Sequence, residues 1–186
     1  MTQTKLIFVG PVGAGKTTSI RTLVNSEMVC TDERATDMTR QWKETTTVAL
    51  DYGTLLLEAG HKVHLYGLPG QERFKFMWDI LTLGVDGVVL LLDNARPAPL
   101  KDLDFYLDEF SSYARTGAMV VAVTKMDVSD DGLTLDDYRQ ALARHDLDLS
   151  ISRFDARQES HVLELIDQAL ASVQRAGGDK APLCPA

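Results

Sequence analysis

The stretch Leu6-Ile7-Phe8-Val9-Gly10-Pro11-Val12-Gly13-Ala14-Gly15-Lys16-Thr17-Thr18 runs from a continuous apolar segment, through a turn with three glycines, into a helical pattern over Lys16 to Asn25. Residues Gly10 to Thr17 match G-x-x-x-x-G-K-[ST], in the strand-to-helix setting that the pattern requires. Glycines let the main chain wrap closely around an anion, so that successive N–H groups and the helix N-terminus point at it. Lys16 adds a point charge, and Thr17 a hydroxyl suited to Mg²⁺. Gly10, Val12, Gly13, Ala14, Gly15, Lys16, Thr17 and Thr18 are the expected phosphate contacts.

Outward from this turn, short β-rich apolar runs alternate with helical segments, and no period of 20 to 50 residues recurs. Strands are expected at Leu6 to Val9, Thr46 to Leu57, Lys62 to Tyr66, Gly87 to Asp93, Ala118 to Thr124 and Leu147 to Arg153. The first, fourth and fifth are nearly unbroken apolar runs, as parallel strands covered on both faces should be. Helices are expected at Lys16 to Asn25, Glu72 to Leu83, Leu100 to Ala114, Thr134 to Arg144 and Gln158 to Gln174, the last with a stripe of Val162, Leu165, Ile166, Ala169 and Leu170. Thr46 to Leu57 and Lys62 to Tyr66 are joined by the short turn Glu58-Ala59-Gly60-His61, which predicts an antiparallel hairpin. The expected architecture is a six-stranded, mostly parallel sheet with one antiparallel edge strand. One domain over residues 1–175 and a disordered tail from Ala176 to Ala186 complete the plan.

Composition excludes several functions. Among 186 residues, 19 basic and 27 acidic side chains leave a net charge of −8, the wrong sign for a protein that tracks nucleic-acid phosphates. The longest apolar run, Val88 to Leu92, is far short of a bilayer span, which takes about 20 residues. The start, MTQTKLIFVG, has a strand pattern in place of a signal peptide, and neither Thr2 nor Cys184 suits a lipid anchor. Cys30 and Cys184 are too far apart in the chain to suggest a disulfide framework, so a reducing cytoplasm is expected. No metal spacing links His61, His64, His145 and His161.

Thr124-Lys125-Met126-Asp127 follows the fifth strand directly. A fixed carboxylate such as Asp127 accepts from guanine's ring N–H and exocyclic amine together, a donor pair that adenine lacks. Facing adenine, that carboxylate would be left unpaired, a mismatch that discriminates by roughly 10⁴. Lys125 would lay its aliphatic stem over the base.

With both motifs in place, the sequence resembles the Ras-like small GTPases over roughly Thr4 to Leu170, and in particular their bacterial branch: the Mgl-type gliding-polarity proteins and GTPases paired with Roadblock-type partners. The resemblance implies the three-layer P-loop GTPase fold, GTP and GDP as ligands, Mg²⁺ as cofactor, slow hydrolysis, and a molecular switch that meets a protein partner. It identifies Thr47-Val48-Ala49-Leu50-Asp51-Tyr52 as switch I, with Thr47 binding Mg²⁺ and sensing the γ-phosphate, and Thr45 and Thr46 as neighbouring alternatives. Gly67-Leu68-Pro69-Gly70-Gln71-Glu72-Arg73-Phe74 corresponds to switch II: Gly70 would meet the γ-phosphate and Gln71 would orient the attacking water. Asp155-Ala156-Arg157 resembles the loop that backs the base. Lys16, Thr47 and Gln71 are the implied catalytic residues, Thr17 and Thr47 the metal ligands.

Two departures stand out. Gly67 replaces the aspartate that opens the family's D-x-x-G, and Asp93, at the end of the fourth strand, is a candidate for a displaced metal aspartate. Val12 stands where well-known eukaryotic members have a glycine that admits an arginine finger, and Arg34 and Arg40 are candidates to act in cis. Without such an arginine, turnover at or below about 10⁻² s⁻¹ is expected. Phe74, Phe76, Met77 and Trp78 form an apolar cluster read either as core or as a partner surface. The rival functions are a pseudo-GTPase scaffold and a P-loop kinase or ATPase using Asp93.

Overall fold

The computed structural model describes residues 3–24, 51–57, 60–128 and 132–177. Most of the tail lies outside these residues, as do Thr45, Thr46, Thr47, Arg34, Arg40 and both cysteines. The elements in chain order are β1 (Gln3–Val9), α1 (Lys16–Val24), β2 (Asp51–Leu56), β3 (Lys62–Gly67), a 3₁₀ helix (Glu72–Met77), α2 (Trp78–Leu81), β4 (Gly87–Asp93), α3 (Pro99–Glu109), α4 (Ser111–Thr116), β5 (Met119–Thr124), α5 (Leu135–Arg144), β6 (Ser150–Arg153) and α6 (Glu159–Ala176).

The strand order is β2-β3-β1-β4-β5-β6, with only the β2–β3 pair antiparallel. This is the expected six-stranded sheet with its antiparallel edge. Period-2 alternation along the parallel strands splits the core in two. Leu6, Phe8, Val89, Leu91, Val120 and Ala122 pack against α1 and α6. Ile7, Val9, Leu90, Leu92, Val121 and Val123 pack against α2, α3 and α5 on the other face. All five stripe residues of α6 are buried in the first of these layers.

Several element bounds differ from expectation, and four of the differences have a local reason. The expected helix over Glu72 to Leu83 winds as 3₁₀ through Met77 and as α only from Trp78 to Leu81. Here packing overrides helical period: the Trp78 ring lies 5.8 Å from that of Tyr106 and 5.5 Å from that of Phe110, while its indole N–H donates to Pro69 O at 3.2 Å. Phe110 also ends α3, with φ −111° and ψ 32°, so the expected helix over Leu100 to Ala114 is two helices. Thr134 is the cap of α5, not its first residue; it forms a capping box with Asp137. Finally, β6 starts at Ser150 because Leu147 N–H still caps the preceding helix at Leu142 O, past a left-handed Asp146.

All the strand ends that matter for a ligand therefore lie along one edge. Gly10 follows β1, Leu68 follows β3, Asp93 closes β4, Thr124 closes β5 and, because β2 runs backwards, its first residue Asp51 sits there too. A crevice at that edge, where chain connections diverge to opposite faces, is the usual ligand position in open α/β sheets. Truncating the fully buried Ile166 to alanine is expected to cost about 2–5 kcal/mol, read as a lower denaturation midpoint at unchanged slope.

Candidate functional site

The loop between β1 and α1 is built on left-handed backbone at Gly10 (φ 137°), Gly13 (φ 84°) and Gly15 (φ 101°). Gly10 admits no other residue, since a β-carbon there would sit 2.0 Å from the carbonyl oxygen of Leu91 in β4. This wedging presses the loop onto the sheet edge. Inside its curl, Lys16 is only 8% exposed and its ammonium donates to Gly10 O at 2.7 Å and Pro11 O at 2.8 Å. Burial pushes its pKa down to about 8, with the nearby Asp51 carboxylate pulling the other way. Val12, 55% exposed, stands at the outer rim of the loop.

Gly70 packs directly on this loop: a β-carbon there would lie 2.5 Å from Gly10 O and 2.8 Å from Lys16 Nζ. Any side chain at position 70 would force the two segments apart. Gln71, next to it, is exposed and leads into the 3₁₀ helix.

Opposite Gly67 stands Asp51, which the sequence reading placed in the Thr47–Tyr52 stretch without a role of its own. The two are paired across β2 and β3. A β-carbon at Gly67 would lie 3.1 Å from Cβ and 3.3 Å from Oδ2 of Asp51, so the carboxylate from the neighbouring strand fills the space a side chain at 67 would take. Its Oδ2 accepts a hydrogen bond from the Thr17 hydroxyl. In the sequence Asp51 falls inside the expected strand Thr46 to Leu57, and its place beside Thr17 comes only from register. A hydroxyl and a carboxylate side by side are hard oxygen donors of the kind Mg²⁺ takes alongside phosphate oxygens and water. The pair therefore fits that ion. Among the described residues, no group of three or more His, Cys, Asp or Glu side chains forms an all-protein metal cage.

On the other side of the loop a cleft of about 610 Å³ is lined by Gly13, Gly15, Thr18, Thr124, Lys125, Asp127, Asp155, Ala156 and Arg157, among others. Three segments distant in sequence thus meet. Thr124 is buried and donates to Leu92 O at 3.0 Å, tying the end of β5 to β4. Ala156 packs on the glycine loop: a β-carbon at Gly15 would lie 3.0 Å from Ala156 Cβ, and Ala156 O accepts from Thr22 of α1 at 2.8 Å. Asp155 accepts from Arg157 N, Nε and Nη2 at 3.0, 2.9 and 2.7 Å. Those bonds hold the Asp155 carboxyl well below the usual carboxylate range. Asp127 is exposed to the cleft solvent.

Asp93 takes no place beside Thr17. Its Oδ2 pairs with Lys125 Nζ at 2.6 Å and its Oδ1 accepts from Ala95 N at 3.0 Å, so it belongs to the Lys125 side of the cleft. The apolar cluster divides: Trp78 is core, while Phe76 is 59% exposed.

A family model described as "Conserved hypothetical ATP binding protein" matches residues 25–176. The chain is similar to an uncharacterized protein of Methanocaldococcus jannaschii, 29% identical over 100 residues that make up 54% of this chain and 57% of that protein. It is similar to the Ras-related protein Rab-7b of Mus musculus, 29% identical over 130 residues, 68% of this chain and 61% of that protein. With the mutual gliding-motility protein MglA of Myxococcus xanthus it shares 26% identity over 150 residues, 74% of each chain. The matched region thus spans about three-fifths of the length of the first two relatives.

Because the Lys16 pKa is lower in the folded chain than its ordinary 10.5, the unfolded chain binds more protons between about pH 8 and that value, and stability rises with pH across this window. The full cost of burying the charge is present below about pH 8. In protein stripped of anionic ligands, unfolding titrations should show the parent gaining stability over Lys16→Met between pH 7.5 and 10; a loss over that range would contradict the burial argument.

Proposed function

The chain belongs to this family of conserved hypothetical ATP-binding proteins, and from that premise we propose that it is a Ras-like small GTP-binding protein that hydrolyses GTP slowly and acts as a molecular switch. The observation that carries the reading is the single cleft in which the glycine loop, Thr124–Asp127 and Asp155–Arg157 converge. The family's description speaks of ATP. Asp127 favours guanine, because a carboxylate at this rim matches guanine's two donors and leaves adenine's acceptor edge unpaired.

In this reading, the N–H groups of residues 12–18 and the Lys16 ammonium hold the β- and γ-phosphates, and Ala156 backs the base with Lys125 across its plane. Thr17 would hold Mg²⁺ with Asp51 supporting it, and Thr47 is the proposed second ligand from switch I. Bound there, the ion supplies charge neutralisation on the phosphate oxygens. Gly70 donates its N–H to the γ-phosphate, and Gln71 orients the attacking water. With little covalent work for the protein to do, rate comes from positioning and electrostatics. The exposed Val12 crowds the path an arginine from a partner would take, consistent with slow turnover.

Loss of the γ-phosphate removes a reason for Gly70 to stay on the loop, and switch II, with exposed Phe76 beside it, changes the surface offered to a protein partner. A Roadblock-type protein is the partner class implied by the resemblance, and a cytoplasmic location is the one the two widely separated cysteines suit. The pseudo-GTPase reading drew its support from Gly67; Asp51 beside Thr17 weakens it.

Competition binding tests the base assignment: GTP should displace labelled GDP at least 10³-fold better than ATP, and Asp127→Asn should shift preference toward xanthosine triphosphate. Equal displacement by ATP would select the ATPase reading. Asp51→Asn should raise the Mg²⁺ concentration needed for half-maximal nucleotide retention about tenfold, as loss of an outer carboxylate commonly does; an unchanged Mg²⁺ dependence would remove Asp51 from the metal site.

A further inference from the structure

Asp93 is a carboxylate left 5% exposed at the end of a strand whose every other residue is apolar or glycine. Burying a charge there is unfavourable unless it is paired and hydrogen-bonded. Both oxygens are engaged, Oδ1 by Ala95 N and Oδ2 by Lys125 Nζ. Lys125, in turn, has a left-handed backbone (φ 57°), a conformation unfavourable for a residue with a side chain. It follows Thr124, the β5 residue in register with Asp93. The turned backbone sends the Lys125 side chain back toward β4, and carries the chain on to Asp127 at the cleft.

The pair also lies near the glycine loop. A β-carbon at Gly13 would lie 3.9 Å from Asp93 Oδ2 and equally far from Lys125 Nζ. One buried acid therefore ties the strand end to the base loop, beside Gly13 of the glycine loop. Other charges around it are already committed: Arg96, which feels Asp93, is paired with Asp102 at 2.5 Å, and the Tyr138 hydroxyl donates to Asn94 Oδ1 at 2.8 Å.

We infer that Asp93 is a positioning residue for nucleotide retention: by holding the Lys125 ammonium at the end of β4, it lays the Lys125 stem along the wall of the cleft where the base plane rests. This deepens the proposed guanine-nucleotide site and depends on it. The consequence is specific. Asp93 touches neither the γ-phosphate side nor the base edge, so its loss shortens the residence of GDP and GTP alike and leaves discrimination against ATP to Asp127.

The experiment is displacement of fluorescent GDP and GTP from the full chain, comparing the parent with Asp93→Asn, Lys125→Met and the double variant. Asp93→Asn keeps the acceptor for Ala95 N and removes the charge. It should speed release of both nucleotides about tenfold, the ratio of the two rates unchanged, because the buried carboxylate that anchors the partly exposed Lys125 ammonium loses its charge. The double variant should release no faster than Lys125→Met, since Asp93 acts through that lysine. A merely structural role would lower the melting temperature and multiply the two effects. Release from Asp93→Asn within twofold of the parent, or multiplicative effects in the double variant, overturns the inference. Should Asp93→Asn not fold, Asp93→Ser is read by the same criteria. If the parent itself retains no labelled guanine nucleotide, the site assignment falls and the inference with it; if the parent retains it and only the Asp93 result fails, the site stands.

Discussion

An ammonium group enclosed by protein must find acceptors, and in this molecule that requirement organises the functional edge. Lys16 is held by the carbonyls of Gly10 and Pro11, which face inward only because the loop turns through left-handed glycines. The loop keeps that curl because Gly10 is seated on Leu91 O of β4, one of the two central strands. Gly70 then closes over the same carbonyl and the same ammonium. Three segments share one buried positive charge, and the desolvation it suffers, visible in its lowered pKa, is what a polyphosphate would relieve.

Carboxylates around this charge obey positions in space more than positions in sequence. The D-x-x-G aspartate is missing from Gly67, yet a carboxylate sits in the vacated volume, delivered by Asp51 from the antiparallel neighbour strand. Without the β2–β3 hairpin this exchange would not be possible, because a parallel strand would bring its last residue, not its first, to that edge. Asp93 illustrates the same rule at the other end of the loop, where a strand-end acid serves the base side through Lys125.

The segment that follows β3 is tied to the body of the protein through Trp78 and an ion pair. Trp78 bonds Pro69 O and stacks among Tyr106, Phe105 and Phe110, and Lys75 pairs with Glu109 of α3. Motion of Pro69 and Gly70 is thereby linked to α3, while Phe76 stays on the surface. Trp78 faces inward and Phe76 outward, two residues apart where the 3₁₀ turn passes into α2.

The glycine loop, the alternation of strands and helices, the antiparallel edge and the α6 stripe were legible in the sequence, because each rests on local chemistry: glycine's access to left-handed backbone, the apolar period, a short turn between β-rich runs. The convergence of Gly13 with Lys125 and of Gly15 with Ala156 was legible only through resemblance, and the roles given to Gln71 and Thr47 still rest on it. Register and packing decided the rest. Asp51 opposite Gly67, Asp93 under Lys125, the break at Phe110 and the inward turn of Trp78 each join residues whose separation along the chain carries no periodic signal. Local preference sets what a segment can become, whereas a contact between strand ends exists only once the whole sheet has chosen its order.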